Sequence, residues 1–119
     1  MVNVSIISIG KNCAPHVAET ISSVLSQKLD GAEFEYIVID GLSSDGTLSE
    51  VVRASKGDHR VRVISEVDRG ISDAMNKGVR LARGKLIFHL HTYFTYRVFN
   101  VIRFGPDEAL MFFVLYTHR

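Results

Sequence analysis

Two textures of apolar residues alternate along the chain. Val2–Ile9, Phe34–Ile39, Val61–Ser65 and Lys85–His91 are short, rich in β-branched side chains and close to continuous in apolar character. Such runs predict strands, the first of them covered on both faces. Between them, apolar residues recur three and four apart: Ala14, Val17, Ala18, Ile21, Val24 and Leu25, then Leu48, Val51 and Val52, then Ile71, Ala74, Met75, Gly78, Val79 and Ala82. That spacing predicts three helices with one inward face each. Pro15 suits the first turn of the first helix, which is expected to stop near Gln27 or Lys28, and Arg83-Gly84 reads as a glycine stop for the third. Strand and helix alternate without exception up to His91. The expected architecture is therefore α/β: a mainly parallel sheet with right-handed crossovers and helices on both faces.

The connections are asymmetric. Segments that follow helices are short and generic, whereas those that follow strands carry Lys11, Asn12, Asp40, Ser43, Asp45, Asp68, Arg69 and Asp73. Polar chemistry thus gathers at the carboxyl edge of the expected sheet, where open α/β sheets bind ligands. Beyond Thr92 the texture changes: Tyr93–Phe104 is aromatic and apolar without helical spacing, Gly105-Pro106 is a break, and Ala109–Tyr116 is a further apolar run. Residues 1–92 are expected to form the ligand-binding part. Residues 93–119 form a tail that reads equally as an added strand, a collapsed helix or an unpacked segment.

Composition narrows the function classes. At 119 residues the chain is one domain or less, and a net charge of +1 supplies no field for steering nucleic acid. Cys13 has no second thiol to pair with, no basic region precedes the first apolar run, and no stretch approaches the ~20 apolar residues of a membrane span. A cytoplasmic protein without a membrane span is expected. No Gly-x-Gly-x-x-Gly, Walker or Gly-x-Ser-x-Gly pattern is present, which argues against dehydrogenase, NTPase and hydrolase chemistry.

Asp40 ends an apolar strand next to glycine, which suits a carboxylate presented to a cleft to accept a base N–H or a ribose hydroxyl; capping its own turn is the alternative. Ser43 and Asp45 are secondary candidates, since a helix start would use Ser44 or Asp45 as caps in any protein. Asp68-Arg69-Gly70 opens a helix whose exposed amides favour phosphate, so Arg69 is a candidate for a diphosphate or else an exposed turn cation. Asp73 and Asn76, three apart, share a helix face turned to the cleft or to solvent. His89 and His91 alternate on one side of a strand, a spacing able to hold zinc, but no third ligand accompanies them.

Together, Val4-Ser-Ile-Ile7, Ala18–Gln27, Ile37-Val-Ile-Asp-Gly-Leu-Ser-Ser-Asp-Gly-Thr47 and Asp68-Arg-Gly-Ile-Ser-Asp-Ala-Met-Asn-Lys-Gly78 resemble the family 2 glycosyltransferases over residues 2–91. The resemblance implies a Rossmann-like GT-A half-domain and transfer of a sugar from a nucleotide-activated donor of UDP or dTDP type. It implies that Asp40 binds the donor's base, that Ile9 and Lys11 border it, and that Arg69, Asp73 and Asn76 lie near ribose and diphosphate. The family also implies a magnesium or manganese ion held by an acid pair after the fourth strand. Thr92, Tyr93 and Phe94 stand there instead and supply no carboxylate. The catalytic-base half is not matched either, so no catalytic or metal residue is assigned and no acceptor is identified. The expectation is a truncated transferase, inactive alone, from a reading frame altered near codon 92. A non-catalytic nucleotide-sugar-binding module and a fragment that self-associates through its aromatic tail are the other readings.

Overall fold

The computed structural model describes residues 2–26, 32–91 and 110–113. Strands β1 (Val4–Gly10), β2 (Phe34–Asp40), β3 (Val61–Ser65), β4 (Leu86–His91) and β5 (Leu110–Phe113) accompany helices α1 (Ala14–Leu25), α2 (Thr47–Ser55) and α3 (Ile71–Leu81) in the order β1, α1, β2, α2, β3, α3, β4, β5. The sheet runs β3-β2-β1-β4-β5 with every pairing parallel. Of the tail, Leu110–Phe113 is the described part, an added strand alongside β4.

Period two divides the core. Val4, Ile6, Phe34, Tyr36, Val38, Leu86, Phe88 and Leu90 pack with Val17, Ile21 and Val24 of α1 and Val51 of α2. Ile7, Ile37, Ile39 and Ile87 point the other way and meet Ala74 of α3. Both faces of the central strands are therefore dry, which is why β1 and β2 read as continuous apolar runs rather than alternating ones. The chain steps from β1 to β2 to β3 beneath α1 and α2. It then returns past both strands under α3 to set β4 on the far side of β1. Strand order reverses at β1, the position where such sheets open a crevice beyond their carboxyl ends.

Two expectations are corrected. The buried stripe of α2 is Thr47, Val51 and Ser55, one residue out of step with Leu48 and Val52, which are 38% and 61% exposed. Helix α3 is not stopped by a left-handed glycine: Ala82 leaves it in extended backbone with φ −67° and ψ 134°. Gly84 is instead required by proximity, because a Cβ there would lie 2.7 Å from backbone atoms of Val4 and Ser5. Gly78 likewise lets α3 settle on β1, its absent Cβ falling 2.5 Å from Ile7 Cγ2.

At the amino end of the sheet, Glu35 is buried at 2% exposure. It accepts hydrogen bonds from Ser5 Oγ (2.6 Å), the Arg83 amide (2.6 Å) and the Arg62 guanidinium (2.9 Å). Arg62 also donates to the Leu81 carbonyl, so this carboxylate ties the exit of α3 to two strands. Among the described residues, no helix is long and apolar enough to cross a membrane.

Candidate functional site

At the carboxyl edge the loops after β1 and β2 are clasped together. Asn12 adopts φ 53° and Leu42 φ 57°, left-handed conformations that reverse each loop sharply. Three successive amides of the first loop donate to side chains of the second: Asn12 N to Ser43 Oγ (2.9 Å), Cys13 N to Thr47 Oγ1 (2.9 Å) and Ala14 N to Asp45 Oδ2 (3.4 Å). Asn12 Oδ1 accepts the Ser44 amide at 2.9 Å in return. Helix α1 is thus capped from another loop, since its own N-cap residue Cys13 gives no side-chain bond. Asp45 also takes the Thr47 amide at 2.9 Å and the Thr47 hydroxyl. The Thr47 hydroxyl, first among its causes, holds the Asp45 carboxyl below its ordinary value of 3.8.

A cavity of about 240 Å³ opens where β1 ends and α3 begins. Ile9, Gly10 and Lys11 at the end of β1, Asp68 and Gly70 ahead of α3, and Ile71 and Ala74 of α3 line it. Gly41 admits this arrangement: a Cβ there would stand 2.8 Å from Asp68 Oδ2 and 3.5 Å from Lys11 Cβ. Ile71, 67% exposed on the first turn of its helix, leaves an apolar surface open at the mouth. The volume is below the ~300–1,000 Å³ of a pocket that encloses a drug-sized ligand. It suits one heterocycle against apolar walls better than a whole nucleotide sugar.

Of the residues the sequence singles out, Ile9 and Lys11 line this cavity. Asp40 is 2% exposed and is not among the lining residues. Its Oδ2 accepts the Ser43 amide (3.1 Å) and the Ser65 hydroxyl (2.7 Å), and its Oδ1 accepts the Ser43 hydroxyl. Ser43 is therefore engaged between Asp40 and Asn12. Arg69 is exposed, and its amide donates to Asp73 Oδ2 at 2.8 Å, while Gly70 N donates to Asp68 Oδ1 at 3.0 Å. Two amides at the start of α3 are thus already met by carboxylates, whose charge opposes a phosphate at that spot. Asp73 also pairs with Lys77 Nζ at 3.8 Å, and Asn76 is exposed. Asp68, Gly70, Ile71 and Ala74 are not among the site candidates read from the sequence; the acid and glycine at the helix entrance are the available signal for the first two, and the apolar helix face for the others.

His89 is buried, and burial lowers its imidazole from the ordinary 6.5. It lies in register with Ile7, on the α3 side of the sheet; the side chain of His91 and the residues Thr92, Tyr93 and Phe94 lie outside the described ones. Among the described residues, no group of three His, Cys, Asp or Glu is arranged to hold a metal ion. Asp68 of the cavity lining accepts the Gly70 amide, and Asp45 and Asp73 likewise accept backbone amides.

The sequence profile of Glycosyl transferase family 2 matches residues 5–92. An uncharacterized glycosyltransferase of Mycobacterium tuberculosis is 37% identical over 89 residues, which are 75% of this chain and 33% of that protein. This chain therefore spans about a third of that relative's length. Among solved structures, a mannosyltransferase of Pyrobaculum calidifontis in complex with GDP-Man and Mn2+ superposes with a TM-score of 0.65 and 28% identity, over 71% of this chain and 26% of that one. TarS of S. aureus in complex with UDP-GlcNAc superposes with a TM-score of 0.68 over 77% of this chain and 27% of that one, at 22% identity. These neighbours have the GT-A fold, to which the four parallel strands β1–β4 and their helices correspond.

Proposed function

The chain belongs to glycosyl transferase family 2, and from that premise we propose that its carboxyl sheet edge receives the nucleotide part of a nucleotide-sugar donor. The heterocycle enters the cavity between Ile9, Lys11 and Asp68, stacks on the apolar side made by Ile71 and Ala74, and offers a ring N–H to the Asp68 carboxylate. Lys11, as a cation at the rim, faces the anionic end of the donor. The observation that carries this reading is the cavity itself, mostly apolar with one lysine and one aspartate in its lining, at the strand-order reversal of a doubly wound sheet.

In the full reaction of such a donor, an acceptor hydroxyl oxygen attacks the anomeric carbon, the bond from that carbon to the diphosphate oxygen breaks, and the nucleoside diphosphate leaves. The described residues supply the donor side of that reaction, and we assign none of them as its base. A divalent cation on the diphosphate belongs to the proposal through the manganese complex of the mannosyltransferase neighbour. Among the described residues, the acids do not make a ligand set for it. With residues 93–119 lacking the family pattern, the chain is expected to bind donor and leave it intact.

The test is thermal unfolding with UDP, dTDP and GDP, each with and without manganese, alongside free-sugar release from the matching donors. A nucleoside diphosphate at about 100 times its Kd should add about 2.7 kcal/mol and raise Tm by several degrees. Asp68→Ala should abolish the rise without lowering the ligand-free Tm by a comparable amount. A Tm unmoved by all three nucleotides would defeat the proposal.

A further inference from the structure

Asp40 is the residue that the sequence nominates for ligand contact, yet its burial, its strand face and its bonds direct it elsewhere. It continues the series Phe34, Tyr36 and Val38, which faces α1 and α2. The cavity opens on the opposite side, with Ile9 and Ala74 of the α3 cluster in its wall. Both carboxylate oxygens are engaged, Oδ1 by the Ser43 hydroxyl and Oδ2 by the Ser43 amide and Ser65 hydroxyl. The consequence lies at Ser43. A hydroxyl that has turned its single proton toward Asp40 presents only lone pairs to its other neighbours. One of these accepts the Asn12 amide at 2.9 Å, 31 residues away in sequence. Asn12 is held at φ 53° there, and the residue immediately before it is Lys11, which forms part of the cavity wall.

We infer that Asp40 is a positioning residue: by orienting the Ser43 hydroxyl it fixes the Asn12 backbone, and so the angle at which Lys11 enters the cavity, without touching the nucleotide. The inference rests on the nucleotide-binding reading above for its functional consequence but not for its structural link. Ser65 completes the relay, so the carboxyl ends of β1, β2 and β3 are joined through one carboxylate.

A double-mutant cycle on the full chain tests it, read by UDP and GDP affinity in calorimetry. Asp40→Ala and Ser43→Ala should each weaken binding about tenfold, within the usual range for coupled neighbours. The double variant should be no weaker than either, and Ser43→Thr, which keeps the hydroxyl, should restore affinity. If the loss from Asp40→Ala persists in full on top of Ser43→Ala, the carboxylate touches the nucleotide directly and the inference is overturned. A second readout needs no ligand: amide hydrogen exchange at Asn12 should accelerate in Asp40→Ala, and unchanged exchange there overturns the inference as well. Should the wild-type chain bind neither nucleotide, the functional reading fails while the exchange measurement still decides the link from Asp40 to Asn12.

Discussion

Glu35 and His89 are the buried ionisable residues whose behaviour with pH can be argued from their surroundings. For Glu35, burial is the largest influence and raises the carboxyl, but the Ser5 hydroxyl, the Arg83 amide and the Arg62 charge together outweigh it and leave the group below its ordinary 4.5. Between 4.5 and that lower folded value the unfolded chain holds the extra proton, so this stabilisation is complete above 4.5 and is lost as pH falls through the window. For His89, burial alone lowers the imidazole from 6.5. Stability should therefore already decline as pH drops below 6.5, well before Glu35 responds. Urea unfolding at pH 7.5 and 5.5 checks this: wild type should lose stability at the lower pH, and His89→Phe should lose less. Glu35→Gln should cost about 1–3 kcal/mol at neutral pH, because Arg62 and the Arg83 amide lose a charged acceptor. Nothing in the apolar pattern around Phe34 and Tyr36 announced Glu35; a charged residue inside a continuous strand was the available signal.

Helix α3 owes its position to what two glycines lack. Gly78→Ala would force a Cβ into Ile7, and the expected loss is about 1–3 kcal/mol in equilibrium unfolding, with the helix displaced from β1. Helix α1 depends on a residue outside it: Thr47→Val would leave the buried Cys13 amide without its acceptor and should cost about 1–2 kcal/mol. Strands were the most legible elements, with Val61–Ser65 matching β3 from end to end. Buried parallel strands carry their signal in residue type alone. Helix faces were less legible, since Leu48 and Val52 are apolar yet turned outward, and the stripe that packs is two hydroxyl residues around Val51. The site was legible as an edge but not as a constellation. Lys11 and Ile9 reach the cavity, whereas Asp40, Ser43 and Asp73 are engaged in bonds between and within loops that only the folded chain brings together.

At the scale of the whole molecule, one sheet divides two kinds of work. Its amino end is locked by Glu35, and its carboxyl end holds the clasped loops and the cavity. Loops clasped in this way would lower the ordering cost of the proposed nucleotide binding, since they are set beforehand. The most direct measurement is an amide-resolved NMR titration of the isotope-labelled chain with UDP and with GDP. Saturable shifts confined to Gly10, Lys11, Gly70, Ile71 and their neighbours are the predicted result. Shifts centred on the amino end around Ser5, Glu35 and Gly84, or none at millimolar nucleotide, would contradict it.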